Sequence, residues 1–216
     1  QFWFFGALII IYICLPVLKK FLNSKRSYLY ILSVLLVVGL IFELTNIVLQ
    51  MPIQTYVIQT FRLWTWLFYY LLGGFIAQFD KDIIKNRFKR WMKIIVVLLF
   101  LVSPLILFFL ARTTYHNSFA EYFYDLLFVK VVSLGIFLTI FSLALNQDNN
   151  KWIVFLSNQT MGVFIIHTYI MKLWGKLFGF SFVGAYLLFA IFTLCVSFII
   201  VGMLMKIPYF SRIVKL

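Results

Sequence analysis

Ser157 to Met171 reads SNQTMGVFIIHTYIM, a membrane-grade apolar run with an ionisable side chain, His167, inside it. A titratable group sunk in lipid costs free energy unless it meets a partner or a cavity. His167 is therefore a functional-site candidate, set against the plainer reading of a histidine merely hydrogen-bonded to a neighbouring helix. At helical spacing Ser157, Thr160, Phe164, His167 and Met171 form one stripe, which would pack inward. Other embedded groups join it: Glu43 on a stripe with Asn46 and Gln50, Arg62, the set Arg112, His116, Glu121 and Asp125, and Lys130. Such groups usually mark substrate or ion paths, while Glu43 with Arg62 and Asp125 with Lys130 also read as structural ion pairs.

The elements that must position them are membrane helices. The chain of 216 residues is 64% hydrophobic and 12% charged, with a mean hydropathy of +1.04, well beyond the roughly 45–50% apolar content of a soluble domain. Its long apolar runs favour helices over a barrel, whose strands would alternate every second residue. Seven stretches are long enough to span: 2–18, 28–49, 63–79, 94–111, 122–145, 152–174 and 182–205. The reading is an all-α polytopic bundle forming one domain over residues 1–216, in a multi-pass cell-membrane protein. A net charge of +13 raises nucleic acid as a partner, but the cations lie in short loops rather than on one surface, which argues against it. Cys14 and Cys195 belong to no metal-binding spacing, so free packed thiols and no metal are expected.

Cytoplasmic loops are enriched in Lys and Arg. Fourteen of the nineteen fall in the first, third and fifth loops and the tail, including Lys19, Lys25, Lys81, Arg90, Lys151 and Arg212. Gln1 therefore starts outside and Leu216 ends in the cytoplasm. Counting from the inner ends then places Glu43, Arg62, Asp125, Lys130 and His167 in the outer half, which points to a polar cavity on that side. The aromatics Trp3, Phe4, Phe5, Trp64, Trp66, Tyr69 and Tyr70 gather at outer ends of spans, as an interfacial belt or as a wall for a sugar. Gly73, Gly74 and Gly162 suit close helix approach, Pro16 and Pro104 lie inside spans, and the basic stretch 80–93 suits an anionic inner leaflet.

Three stretches together resemble the acyltransferase 3 family of polytopic membrane enzymes. In QFWFFGALIIIYICLPVLKK the resemblance lies in Trp3, Phe4, Tyr12 and Pro16 ahead of a basic loop. In FRLWTWLFYYLLGGFIAQF it lies in Tyr69 to Gly74, and in SNQTMGVFIIHTYIM it lies in Ser157, Gly162, Phe164, Ile166 and His167. The resemblance implies ten spans with cytoplasmic termini, of which this chain would be the last seven; the loop charges independently demand the same orientation. The family's catalytic Arg and His belong to its first helix and have no counterpart here, so the first three helices are expected to be missing.

The implied chemistry is transfer of an acetyl or similar group from an acyl-CoA, acetyl-CoA among them, to a hydroxyl of an extracellular or lipid-linked carbohydrate. His167 would orient the reacting groups, with Arg62 or Lys130 stabilising charge on the carbonyl oxygen and Glu43, Asp125 and Trp3 contacting substrate. The acceptor, the acyl-CoA and the bilayer are thus the expected partners. Two rivals remain, a sugar exporter or flippase subunit and an ion-coupled transporter.

Overall fold

The computed structural model describes residues 3–79, 88–116, 123–144, 151–178, 183–207 and 209, without the side chains of 144, 151–153, 178 and 183–187. Among these are seven α-helices: α1 (Trp3–Phe21), α2 (Lys25–Leu49), α3 (Leu63–Ile76), α4 (Arg90–Thr113), α5 (Leu127–Ala144), α6 (Lys151–Phe178) and α7 (Val183–Leu204). Short 3₁₀ turns at Ile53–Tyr56, Gln59–Phe61 and Phe123–Asp125 join them, and no strand occurs among the described residues. Each helix falls on one expected stretch. Three of them, α1, α2 and α4, are long and apolar enough to cross a membrane. With 14 residues, α3 rises only about 21 Å, short of a hydrocarbon core of about 30 Å. Glu121, most of the basic stretch 80–93 and the tail cations Arg212 and Lys215 lie outside the described residues.

Local chemistry sets the helix ends. Ser24 accepts a hydrogen bond from the Ser27 N–H at 3.1 Å and so starts α2. Gln50, with φ of 52°, closes it in the left-handed conformation. Pro104 removes one backbone donor from α4, and the hydroxyl of Ser103 donates to the Phe100 carbonyl at 2.7 Å instead. Around α4 the apolar side chains Ile94, Leu98, Leu101, Leu105 and Phe109 are 53–64% exposed, as lipid permits and water does not.

Residues 2–146 and 147–216 form two compact units. In the first, α2 and α3 pack through Tyr28, Leu32, Phe68 and Leu71. Gly74 makes room for the Tyr28 hydroxyl, which a Cβ there would approach to 2.6 Å. Gly73 faces open space, contrary to the close approach expected of it. Tyr12 meets Tyr70 edge-on at 6.2 Å between α1 and α3, and Ala111, Tyr115, Phe123 and Leu126 form the core where α4 meets α5.

In the second unit α6 and α7 pack through Val163 and Val201, flanked by Ile166, Phe198 and Met205. The packed face of α6 is Gln159, Gly162, Val163 and Ile170, whereas Ser157, Thr160, Phe164 and Met171 are exposed. The polar stripe therefore does not turn inward against α7. Small and apolar side chains, which let two helices close on one another, select the opposing face instead. Cys14 and Cys195 are free thiols and stand exposed rather than packed.

Candidate functional site

The first unit builds its polar site around Asp125, which is 2% exposed. Its carboxylate accepts from the Thr65 hydroxyl, from Trp64 Nε1 at 3.2 Å and from Gln54 Nε2 at 3.4 Å. Lys130 Nζ stands 3.9 Å away. A carboxylate offers about four lone-pair sites; three donors and one ammonium therefore meet its needs. Gln54 is held in turn by Asn46 Nδ2, which donates to its Oε1 at 2.6 Å, while Asn46 Oδ1 accepts from the Ile53 N–H at 3.0 Å. One connected network thus ties α2, the following turn, α3 and the entry to α5.

Lys130 occupies a space made for it. Its ammonium sits 5.1 Å from the Phe68 ring centroid, and Gly39 of α2 lies so close that a Cβ there would collide with Nζ. Glu43, one turn further along α2, accepts from the N–H of Leu127 at 2.9 Å. A carboxylate at this position satisfies an otherwise orphaned donor and complements the positive end of the α5 dipole. Arg62 begins α3: its carbonyl accepts from the Thr65 and Trp66 N–H groups, and its Nε donates to the Val57 carbonyl at 3.1 Å. The guanidinium residue is 5% exposed.

An aromatic rim stands beside the network. Trp3 of α1 stacks on Trp66 with centroids 4.4 Å apart, and Tyr124, next to Asp125, lies 5.4 Å from Trp66. Two hydrogen bonds hold this rim: Trp66 Nε1 to the Gln59 carbonyl at 2.8 Å, and the Tyr69 hydroxyl to the Tyr124 carbonyl at 3.0 Å.

The structure thus brings Glu43, Asp125 and Lys130 together, with Trp3 reaching the Tyr124 side. It does so as a closed knot rather than an open polar cavity: Asp125 and Lys130 are 2% and 3% exposed. Asp125 also precedes α5 in its 3₁₀ turn instead of lying within the span. Trp64, Thr65 and Gln54 are further members of the site. Their sequence signal is slight, a lone Thr between two Trp and a Gln after Pro52, and only the fold makes them converge.

His167 belongs to the second unit, half-buried on α6. Its Nδ1 lies 3.0 Å from the Val163 carbonyl. A carbonyl can only accept, so Nδ1 carries the proton and a neutral ring keeps its lone pair on Nε2, where it can accept a hydrogen bond. Phe164 flanks the ring at 5.8 Å. No group of three His, Cys, Asp or Glu side chains poised for a metal occurs among the described residues.

Comparison with known proteins adds the family. The acyltransferase 3 model, described as an acyltransferase domain, matches residues 1–202. No curated protein and no solved structure matches the chain. Apolar helices suited to a bilayer and a match over nearly the whole sequence lead to one conclusion: this membrane protein belongs to the acyltransferase 3 family.

Proposed function

We propose that the protein transfers an acetyl or similar acyl group from an acyl-CoA to a hydroxyl of an extracellular or lipid-linked carbohydrate. In this reading the chain crosses the membrane seven times, with the Gln1 end outside and the Leu216 end in the cytoplasm. The match of the acyltransferase model to residues 1–202 carries it. The acceptor oxygen attacks the thioester carbonyl carbon, a C–O bond forms, the C–S bond breaks, and the hydroxyl proton passes finally to the departing thiolate. A hydroxyl is a weak nucleophile, so an imidazole nitrogen with an available lone pair suits the proton-accepting or orienting role.

His167 meets that need through Nε2, its other nitrogen being tied to Val163. Lys130 is engaged with Asp125 and the Phe68 ring, so it belongs with Glu43 in the frame that holds α3 and α5. Trp3, Trp66 and Tyr124 offer ring surface for the apolar face of a sugar.

The test supplies membranes containing the protein with labelled acetyl-CoA and follows label into surface polysaccharide. His167→Ala should lower the rate by about 10²–10⁴ with the amount of folded protein unchanged. Transfer at the wild-type rate would remove His167 from the scheme. Sugar or ion flux through proteoliposomes, with no acyl transfer from any acyl-CoA, would favour transport instead.

A further inference from the structure

A cavity of about 440 Å³ opens along the seam of α4 and α5, bounded by Phe100, Ser103 and Leu107 on one side and Val129, Ile136 and Ile140 on the other. Along α5 its lining runs from Val129 to Ile140, eleven steps or about 16 Å at the helical rise. That is close to one leaflet of a hydrocarbon core about 30 Å thick. Volume over length, widened at the walls by the radius of a water molecule, gives a mean cross-section of about 60 Å², against roughly 80 Å² for a helix about 10 Å across. The groove is too narrow for a packed helix and wide enough for one hydrocarbon chain. Its lining is apolar apart from serine hydroxyls, and that of Ser103 is already spent on the Phe100 carbonyl.

Charge distinguishes the two ends. On α4 the stripe that lines the groove continues back from Leu107 through Phe100 to Lys93, seven residues or about 10 Å beyond Phe100. Lys93 is half-buried, Lys89 and Arg90 beside it are exposed, and Trp91 is 58% exposed, as befits a residue at headgroup level. The stretch 80–93 carries six Lys or Arg against two Asp. A lysine stem laid along apolar surface keeps its ammonium at the interface, where it would meet a phosphate attached to a chain in the groove.

We propose that the α4–α5 groove is a binding site for an anionic phospholipid of the leaflet at the Lys93 end, one acyl chain lying between Phe100 and Ile140 and the phosphate resting on Lys93 and Arg90. This site is separate from the Asp125 network and independent of the acyl-transfer reading.

The test reconstitutes the whole protein in nanodiscs containing equal amounts of phosphatidylglycerol and phosphatidylcholine, then counts lipids retained on release by native mass spectrometry. Wild-type protein should keep one phosphatidylglycerol in preference to phosphatidylcholine. Lys93→Gln and Arg90→Gln should each weaken that preference roughly fivefold, the effect of about one cation near a headgroup. Ile140→Trp, at a position 62% exposed and so tolerant of bulk, should reduce retention of either lipid by obstructing the groove. Equal retention of the two lipids by wild-type protein, undiminished retention in Ile140→Trp, or displacement of the lipid by an added acyl-CoA would overturn the proposal.

Discussion

Replacing Asp125 with alanine strands a buried cation. The Lys130 and Asp125 side chains are 4% and 3% exposed, so water cannot replace what is lost, and the Phe68 ring 5.1 Å away is a weak substitute. Removing one partner of a buried ion pair costs about 3–5 kcal/mol. The substitution also takes the acceptor from Thr65, Trp64 and Gln54, each such loss being worth about 1–3 kcal/mol and not fully additive. We expect Asp125→Ala to destabilise the protein by at least 3–5 kcal/mol, a fall in Tm of roughly 6–20 °C for a chain this size. Lys130→Met should cost less, because the carboxylate keeps its three donors. The double variant Asp125→Asn with Lys130→Met should recover most of the loss, since replacing both members of a buried pair is often neutral.

Purified protein in detergent, heated in aliquots and scored by fluorescence-detected size exclusion, gives the three midpoints. An Asp125→Ala midpoint within about 1 kcal/mol of wild type, or a double variant no more stable than Asp125→Ala, would refute the claim that this pair is a buried, mutually dependent unit.

Two further outcomes follow from close contacts. Gly39→Ala should destabilise by about 1–3 kcal/mol because its Cβ enters the space of Lys130 Nζ; in a Lys130→Ala background the same change should cost almost nothing, as thermal midpoints of the four proteins would reveal. Gln159 is 0% exposed and neither amide atom has a hydrogen-bond partner among the described residues, so Gln159→Leu should raise stability by about 1–3 kcal/mol; a drop in the midpoint would show that the amide is satisfied by a group beyond those residues.

Much of the architecture follows from one-dimensional information. Runs of apolar residues about 20 long need no partner to become helices in lipid, because each satisfies its own backbone. For that reason α1 to α7 lie where hydropathy puts them, and the caps at Ser24 and Gln50 set the two ends of α2. The start of α5 is the largest shift, from the expected residue 122 to Leu127, because Phe123–Asp125 forms a separate 3₁₀ turn. Ionisable side chains are so rare in such a sequence that Glu43, Asp125 and Lys130 could be singled out by type alone, and Asp125 paired with Lys130 by proximity along the chain.

What each of these groups meets is decided at long range. Asp125 finds Thr65 and Trp64 some sixty residues away and Gln54 seventy-one away, and Glu43 caps α5 across eighty-four. No periodicity records such pairings. The face that α6 presents to α7 was likewise settled by packing, since Gly162 and Val163 allow a closer approach than the polar stripe through His167. Composition and spacing determined that this chain is helical, belongs in a bilayer and carries a few costly polar groups. Only the tertiary structure determined that those of the first unit close into a network rather than line a cavity, because satisfying a buried carboxylate takes several donors and no single helix can supply them.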